Sequence, residues 1–273
     1  MNVLSCRGHE LPIGDRTIIM GILNITPDSF SDGGSYNRIE DALRRAQHMV
    51  AEGADIIDIG GESTRPGAAT VTVDEELQRV IPVIEAIRRE INVPISIDTY
   101  KAEVAKQAID AGAHIINDVW GGQADAEMAA VAAQLECPFI ITHNRTDSEY
   151  VEFLPEVIAD LLRCTDQAQQ AGVKPEHIIL DPGIGFAKSY AQNLYLMNNL
   201  RAIVDLGYPV LLGTSRKSVI GLTLGLPPEE RLEGTSSTVV LGIAQGCGIV
   251  RVHDVQAIKR LAVMTDAILR SNL

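Results

Sequence analysis

The chain has few aromatic residues and few cysteines. Aromatic side chains make up 4% of its 273 residues, so a core must be built mainly from Ile, Val, Leu and Ala. Those side chains are typical of parallel sheets covered by helices. The cysteines form no CxxC pair and have no His beside them at metal-ligand spacing; they are Cys6, Cys137, Cys164 and Cys247. We therefore expect reduced, mostly buried thiols and a cytoplasmic protein.

Several other features are missing, and each argues against a class of protein. The net charge is −13 and Lys and Arg form no cluster, so no nucleic acid is expected as a partner. No run approaches the roughly 20 apolar residues that span a bilayer, and the amino terminus lacks a signal-peptide pattern, so no membrane association is expected. The absence of a P-loop and of a GxGxxG fingerprint argues against ATP and NAD.

The chain does contain a regular alternation of short apolar runs with longer amphipathic segments, which predicts βαβ units and a parallel sheet. The strand candidates are residues 17–23, 56–59, 94–98, 115–119, 138–142, 177–181, 209–213 and 249–252. Eight units predict an α/β fold, a (β/α)8 TIM barrel in which residues 1–273 form a single domain. An open doubly wound sheet is the alternative, but it usually has fewer units.

The segments between the runs carry apolar side chains at helical period. The clearest predicted helices are residues 74–90, 100–111, 156–171 and 255–269. A glycine follows several of the helical segments, as is common at helix ends, at Gly53, Gly112, Gly172 and Gly207.

Polar residues gather at the carboxyl ends of the predicted strands, where a barrel carries its functional residues. They are Asn24, Asp58, Asp98, Asn117, His143, Asp181, Ser215, Lys217, Arg251 and His253. Asp98, Asn117 and Asp181 suit a flat heterocycle with amino and ring N–H groups. Two alternatives stay open for them: helix caps, and a divalent metal held by the two Asp residues.

The basic residues Lys217, Arg251 and His253 follow the last two predicted strands, the usual phosphate corner of a barrel. The alternative for them is a set of ion pairs with neighbouring Asp residues. His143 and His253 would also fit neutral, hydrogen-bonded core histidines. Two long polar loops, residues 24–34 and 60–67, directly follow strands and are expected to act as functional lids.

Seven stretches of the sequence together resemble one known family. They are MGILNITPDSFSD (20–32), DIGGESTRPG (58–67), ISIDT (95–99), INDV (116–119), DPGIGF (181–186), GTSRKS (213–218) and RVHD (251–254). In order and spacing they are similar to the motifs of the dihydropteroate synthases. One departure is Thr142, where many members have Met, and no role is carried over to it.

The resemblance implies a (β/α)8 barrel that forms a homodimer through its later helices. It implies condensation of 6-hydroxymethyl-7,8-dihydropterin diphosphate with p-aminobenzoate to 7,8-dihydropteroate and diphosphate, with Mg²⁺ assisting. This is a step of folate synthesis and the target of sulfonamides. The bases at the phosphate corner suit departure of diphosphate, so we expect an SN1-like displacement in which Asp98 and Asp181 stabilise the cation.

The resemblance also assigns roles residue by residue. The pterin ring would contact Asp98, Asn117, Asp181, Gly185, Phe186 and Lys217. The diphosphate would contact Asn24, Arg251 and His253, and Asn24 would also bind Mg²⁺. The p-aminobenzoate side would consist of Thr64, Arg65, Pro66 and Ser218. The residues expected to carry catalysis are Lys217, Asp98, Asp181, Arg251 and His253.

Other functions remain as alternatives. A pterin-binding module that presents methyltetrahydrofolate to a corrinoid partner would not need the SRKS stretch (215–218) together with Arg251 and His253. A catalytically silent paralogue is disfavoured because the motifs are intact apart from Thr142. A phosphosugar lyase or aldolase barrel would carry a Schiff-base Lys inside an apolar strand, whereas Lys217 lies in a polar loop. For the synthase, deleting residues 24–32 is expected to impair p-aminobenzoate use far more than binding of the pterin diphosphate.

Overall fold

A computed structural model describes residues 2–25, 35–63 and 70–271. Its first element is an antiparallel hairpin that the sequence analysis missed, formed by β1 (Asn2–Cys6) and β2 (His9–Ile13). The hairpin turns at Arg7 and Gly8, both with positive φ, as two-residue hairpin turns require. Because Arg is an uncommon residue in such a turn, the local sequence signal is weak.

The main sheet is parallel, and its strands run in the order β8-β7-β6-β5-β4-β3-β10-β9. Within the described residues the strands are β3 (Ile18–Asn24), β4 (Ile56–Gly60), β5 (Ile95–Asp98), β6 (Ile115–Asp118), β7 (Phe139–Thr142), β8 (Ile178–Asp181), β9 (Leu211–Leu212) and β10 (Ile249–Val252). A bridge between Leu180 and Val210 joins β8 to β9 and closes the barrel. The predicted barrel and its strand candidates are confirmed.

Helices surround the barrel. In the described part of the chain they are α1 (Ser35–Ala51), α2 (Val73–Glu90), α3 (Ala102–Ala111), α4 (Met128–Gln134), α5 (Phe153–Gln170), α6 (Tyr190–Asn198), α7 (Arg201–Val204), α8 (Ser218–Leu224), α9 (Leu232–Gln245) and α10 (Val255–Leu269). The four clearest predicted helices correspond to α2, α3, α5 and α10 within a few residues. None of the described helices is long and apolar enough to cross a membrane.

Two apolar cores hold the fold together. The larger one lies between the barrel wall and the helices and is rich in Ile, Val and Ala. The smaller one fills the barrel with inward-facing residues such as Ile56, Ile115 and Ile249, and it includes Leu4 and Leu11 of the hairpin. Since Ile56, Ile115 and Ile249 begin their strands, the hairpin covers the amino-terminal end of the barrel. The carboxyl-terminal end is left for the functional site.

Candidate active site

The strand register brings the predicted polar residues to one end of the barrel. Asn24, Gly60, Asp98 and Asn117 are paired in sequence across β3, β4, β5 and β6. Asp181 ends β8 and is paired with Thr142, the last residue of β7. Side chains that are up to 157 residues apart in sequence therefore meet at one mouth, as the polar pattern predicted.

A cleft with a volume of about 670 Å³ opens at this end. Many of the predicted site residues line it, namely Asn24, Asp98, Asn117, Asp181, Gly185, Phe186, Lys217, Ser218, Arg251 and His253. Thr142 lines it as well. Thr64, Arg65 and Pro66 lie outside the described residues, as does most of the first polar loop.

The side chain of Arg251 lies at the base of the cleft, between the carboxylates of Asp58 and Asp98. Its Nε donates to Asp58 Oδ2 at 2.6 Å and its Nη2 donates to Asp98 Oδ2 at 2.5 Å. The Asn117 amide donates to both oxygens of Asp58 at 3.3 Å. The ion-pair alternative therefore holds for Arg251, and the same contacts keep its guanidinium in the cleft beside the predicted ring-binding residues.

Burial has the largest effect on the pKa values of the two acids that line the cleft, Asp98 and Asp181. It raises the pKa of Asp98 to about 7, although Arg251 acts in the opposite direction. Burial also raises the pKa of Asp181, while Lys217 and the Gly183 N–H, which donates to Asp181 Oδ1 at 2.7 Å, lower it. Partly dehydrated carboxylates of this kind respond strongly to positive charge that develops beside them.

The helix-cap alternative finds little support at these positions. Asn117 donates to Asp58, and the side chain of Asp98 pairs with Arg251. Asp181 alone of the three accepts a bond from the turn that follows its strand. Among the described residues no group of three or more His, Cys, Asp or Glu side chains is arranged to hold a metal.

Lys217 enters the cleft from the residue before α8. Its ammonium donates to the carbonyl oxygen of Ile184 and lies 4.5 Å from the centre of the Phe186 ring. Burial lowers the pKa of Lys217 to about 8, while Asp181 acts to raise it. A cation that lies on an aromatic face and beside a carboxylate can form one side of a binding site for a planar ligand.

Side chains that follow the last two strands contact one another at the phosphate corner predicted from the sequence. Ser215 Oγ lies 3.0 Å from His253 Nδ1 and accepts the His253 backbone N–H at 3.2 Å. The neighbouring Arg216 forms a bidentate pair with Asp254 at 3.0 and 2.5 Å. These contacts join residues 215 and 216, just before Lys217, to residues 253 and 254, just after β10, and hold His253 at the cleft.

His143 is the core histidine that one reading of the sequence described. It is 2% exposed, and burial together with Lys188 lowers its pKa to about 3. Its ring contacts Lys188 Nζ at 2.7 Å and Asp160 Oδ2 at 3.3 Å. His143 therefore stays neutral at physiological pH and supports the cleft from behind.

The comparisons with known proteins agree with this geometry. The pterin binding enzymes, as a family, match residues 20–253. A dihydropteroate synthase of Clostridium beijerinckii is 57% identical over 96% of this chain and 97% of its own length. The chain belongs to the dihydropteroate synthase family of pterin-binding enzymes.

Two solved structures of that family share the fold closely. The dihydropteroate synthase of Clostridium difficile, crystallised in the presence of pteroic acid, has a TM-score of 0.93 at 52% identity, covering 96% of this chain and 100% of its own. The Xanthomonas albilineans dihydropteroate synthase with 4-aminobenzoic acid has a TM-score of 0.95 at 40% identity, covering 99% of each chain. These likenesses confirm the resemblance that the motifs indicated.

Several residues around the family's cleft were given no role from sequence. Asp58 was noted only as a polar strand residue, although it is fully buried and holds Arg251 and Asn117. Glu62 accepts from Lys101 and from the backbone N–H of Val71, so it ties the start of the second polar loop to the residues after it. Asp58 and Glu62 lie inside a quoted motif, which was the available signal.

Proposed function

We propose that this chain catalyses the dihydropteroate synthase reaction, the transfer of a dihydropterin-methyl group from diphosphate to p-aminobenzoate. The observation that carries the proposal is the meeting of Asp98, Asn117 and Asp181 with Lys217 and Arg251 in one cleft. The acids and the amide match the donors of a pterin ring, Lys217 lies beside the ring site, and Arg251 matches the phosphate tail. The relatives named dihydropteroate synthase support the same reaction.

In the proposed reaction the bond between the pterin methylene carbon and the diphosphate oxygen breaks first. Diphosphate leaves with the electron pair, and its charge is met by Arg251 and His253. The positive charge left on the methylene is shared with the pterin ring, where Asp98 and Asp181 stabilise it. The amine nitrogen of p-aminobenzoate then forms the new C–N bond and releases a proton. Because an aniline nitrogen is mostly unprotonated at neutral pH, no strong base is required.

The second substrate is assigned to the outer part of the cleft. Ser218 is exposed at the rim, one residue after Lys217, and can donate to a carboxylate. The structure of the Xanthomonas relative with 4-aminobenzoic acid supports a site for this ligand in the family. Thr64, Arg65 and Pro66 would complete that side, and the two polar loops would exclude water when they close.

A magnesium ion fits this site only in partnership with the substrate. A Cβ added to Gly60 would lie 3.6 Å from Asn24 Oδ1 and from Asp98 Oδ2, and this Asp98 oxygen already accepts a hydrogen bond from Arg251. One or two oxygens are too few for a protein-only Mg²⁺ site, but Mg²⁺ is commonly bound by one or two protein oxygens together with substrate phosphates. Asn24 is therefore assigned to Mg²⁺ and the diphosphate, where the ion would offset phosphate charge.

We also propose that the protein is a homodimer and acts in the cytoplasm. Helices α9 and α10 expose apolar side chains that include Leu241 (40%), Val263 (58%) and Met264 (61%). An apolar surface of this kind on neighbouring helices is typical of a subunit interface. The four cysteines are free and buried, which suits a reducing compartment.

The competing function is a pterin-binding module that performs no condensation. Release of diphosphate from the pterin diphosphate in the presence of p-aminobenzoate distinguishes the two, because a module would bind the pterin and release nothing. We expect steady release by the wild type and at least a hundredfold slower release by Lys217→Ala. Tight pterin binding without diphosphate release would favour the module.

A further inference from the structure

The segment between β8 and α6 forms the wall of the cleft that Gly185 and Phe186 line. Its backbone is sharply bent, since Gly183, Gly185 and Ala187 have φ values of +69°, +87° and +46°. A Cβ on Gly183 would lie 1.9 Å from the carbonyl oxygen of His143, so only glycine fits there. A loop bent in this way turns several carbonyl oxygens inward, and each needs a donor.

Lys188 supplies donors from behind this wall. Its Nζ donates to the carbonyl oxygens of Gly183 and Phe186, both at 3.0 Å, and contacts His143 Nδ1 at 2.7 Å. The contact at Gly183 joins the first turn of the loop to its end. The side chain of Lys188 does not line the cleft, so any effect it has on a ligand must pass through the loop.

Burial lowers the pKa of Lys188 to about 7, while the Asp181 carboxylate acts to raise it. In its ammonium form Lys188 has three protons and no lone pair, so His143 Nδ1 accepts its hydrogen bond. The neutral His143 ring then carries its proton on Nε2, which faces Asp160 Oδ2 at 3.3 Å. Asp160, His143 and Lys188 thus form a continuous chain from α5 to the cleft loop.

On the cleft side the same loop is bound by Lys217, through the carbonyl oxygen of Ile184 and the face of Phe186. Two ammonium groups therefore bind one loop from opposite sides, Lys188 at residues 183 and 186 and Lys217 at residue 184. Asn193 Oδ1 also accepts the Gly185 N–H at 2.6 Å and Tyr150 donates to the Ala187 carbonyl oxygen at 2.9 Å, so loss of Lys188 would remove the loop's restraints at residues 183 and 186 and leave these others in place.

We propose that Lys188 is a positioning residue for the pterin half of the reaction. It holds the loop of residues 182–187 in the form that presents Phe186 and Lys217 to the pterin ring, and it touches no substrate itself. The role rests on the proposed function, since it concerns the ring site of that reaction. It predicts a selective loss of ring affinity, whereas a purely structural lysine would affect stability alone.

The test is Lys188→Met, compared with the wild type by calorimetric titration of two probes, 6-hydroxymethyl-7,8-dihydropterin diphosphate and inorganic diphosphate. We expect the Kd for the pterin diphosphate to rise at least tenfold and the Kd for inorganic diphosphate to change less than twofold. In turnover assays kcat should fall with the pterin affinity, while KM for p-aminobenzoate stays within twofold. Equal losses for both probes, or no loss for either, would overturn the proposal.

Lys259→Met is the matched control. Lys259 is also partly buried and pairs with a carboxylate, Asp55 Oδ2 at 3.4 Å, but Asp55 lies just before β4 at the far end of the barrel. This variant should bind both probes like the wild type. If Lys188→Met does not melt cooperatively, Lys188→Gln replaces it, with the same selective loss expected and wild-type affinity again overturning the proposal.

The binding and turnover results separate this proposal from the proposed function. A wild type that forms no dihydropteroate, together with a selective loss of pterin affinity in Lys188→Met, would remove the function and keep the role of Lys188. A wild type that forms dihydropteroate, together with a Lys188→Met variant whose affinity for the pterin diphosphate is unchanged, would keep the proposed function and remove the role of Lys188.

Discussion

Asp58 organises the floor of the cleft although it carries no chemistry itself. It is fully buried, and its carboxylate accepts from both Arg251 and Asn117. Replacing a buried carboxylate that has such partners by a neutral side chain is destabilising, because the guanidinium that is left behind stays dehydrated and partly unpaired. Asp58 therefore holds both Arg251, which is proposed to bind the diphosphate, and Asn117, which is proposed to bind the ring.

Asp58→Asn is expected to lower the free energy of unfolding by about 3 kcal/mol, the usual cost of breaking a buried ion pair from one side. Urea denaturation measures this loss directly. The control is Asp205→Asn, which removes an exposed pair with Arg201 on the surface and should cost less than about 0.5 kcal/mol. A loss below about 1 kcal/mol for Asp58→Asn would contradict the structural role assigned to it.

A second prediction concerns His143 and the pH dependence of the free energy of unfolding. Its pKa is lowered to about 3 in the folded protein from an ordinary 6.5, so only the unfolded chain takes up this proton between those values. The contribution of His143 is therefore fully present above pH 6.5 and is lost as the pH falls towards 3. Between pH 7 and pH 5 the loss amounts to about 2 kcal/mol.

Urea denaturation at pH 7 and pH 5 tests this. We expect His143→Gln to lose about 2 kcal/mol less between the two pH values than the wild type does. An unchanged pH dependence in His143→Gln would show that the buried ring does not resist protonation.

At the scale of elements, α9 lies unusually close to β9. Strand β9 has two residues, and Leu212 in it packs directly beneath Gly242 of α9. A Cβ on Gly242 would lie 2.3 Å from Leu212 Cδ2. Helix α9 also contacts the segment before Lys217, since Thr235 Oγ1 accepts the Arg216 N–H at 3.1 Å and Thr238 Oγ1 lies 2.8 Å from Thr214 Oγ1.

Gly242→Ala is expected to destabilise the protein by about 1–3 kcal/mol through overpacking, even though Ala favours a helix more than Gly does. The shift is measurable as a fall in Tm. Ser237→Ala, on an exposed position of the same helix, should stay within about 0.5 kcal/mol of the wild type. A stabilised Gly242→Ala would mean that α9 can move away from the barrel without cost.

The elements also show what the sequence could and could not predict. The barrel strands follow from apolar runs and the helices from 3.6-residue periodicity, because both signals are local. The β1–β2 hairpin was missed because Arg7 gives no turn signal. Contacts that depend on tertiary packing, such as Lys188 behind the cleft loop, follow from no local pattern.

At the scale of the whole molecule, the proposed dimer uses the outer faces of α9 and α10. Met264→Glu places a charge in the middle of the exposed apolar surface and should convert the dimer to a monomer. Light scattering after size exclusion measures the mass of each species. Leu162→Glu, at a 38% exposed position on α5, is the control and should leave the dimer intact. A monomeric wild type would contradict the proposed assembly.

The two ends of the barrel differ in role. The amino-terminal end stabilises the fold, and the carboxyl-terminal end carries the candidate active site. The hairpin and the apolar side chains inside the barrel cover its amino-terminal end. The polar residues at the ends of the strands line the cleft at its carboxyl-terminal end. The division of residues between the two ends was predictable from the positions of polar residues after the strands. The pairing of Arg251 with Asp58 and Asp98 was not, because the sequence does not reveal which acid meets which base.

Formation of labelled dihydropteroate is a direct test of the proposed synthase activity. Purified protein is incubated with 6-hydroxymethyl-7,8-dihydropterin diphosphate, Mg²⁺ and radiolabelled p-aminobenzoate, with Lys217→Ala in parallel. We expect labelled dihydropteroate from the wild type and at most about a hundredth of that rate from Lys217→Ala. Label that stays entirely in p-aminobenzoate, with a correctly folded wild-type protein, would contradict it.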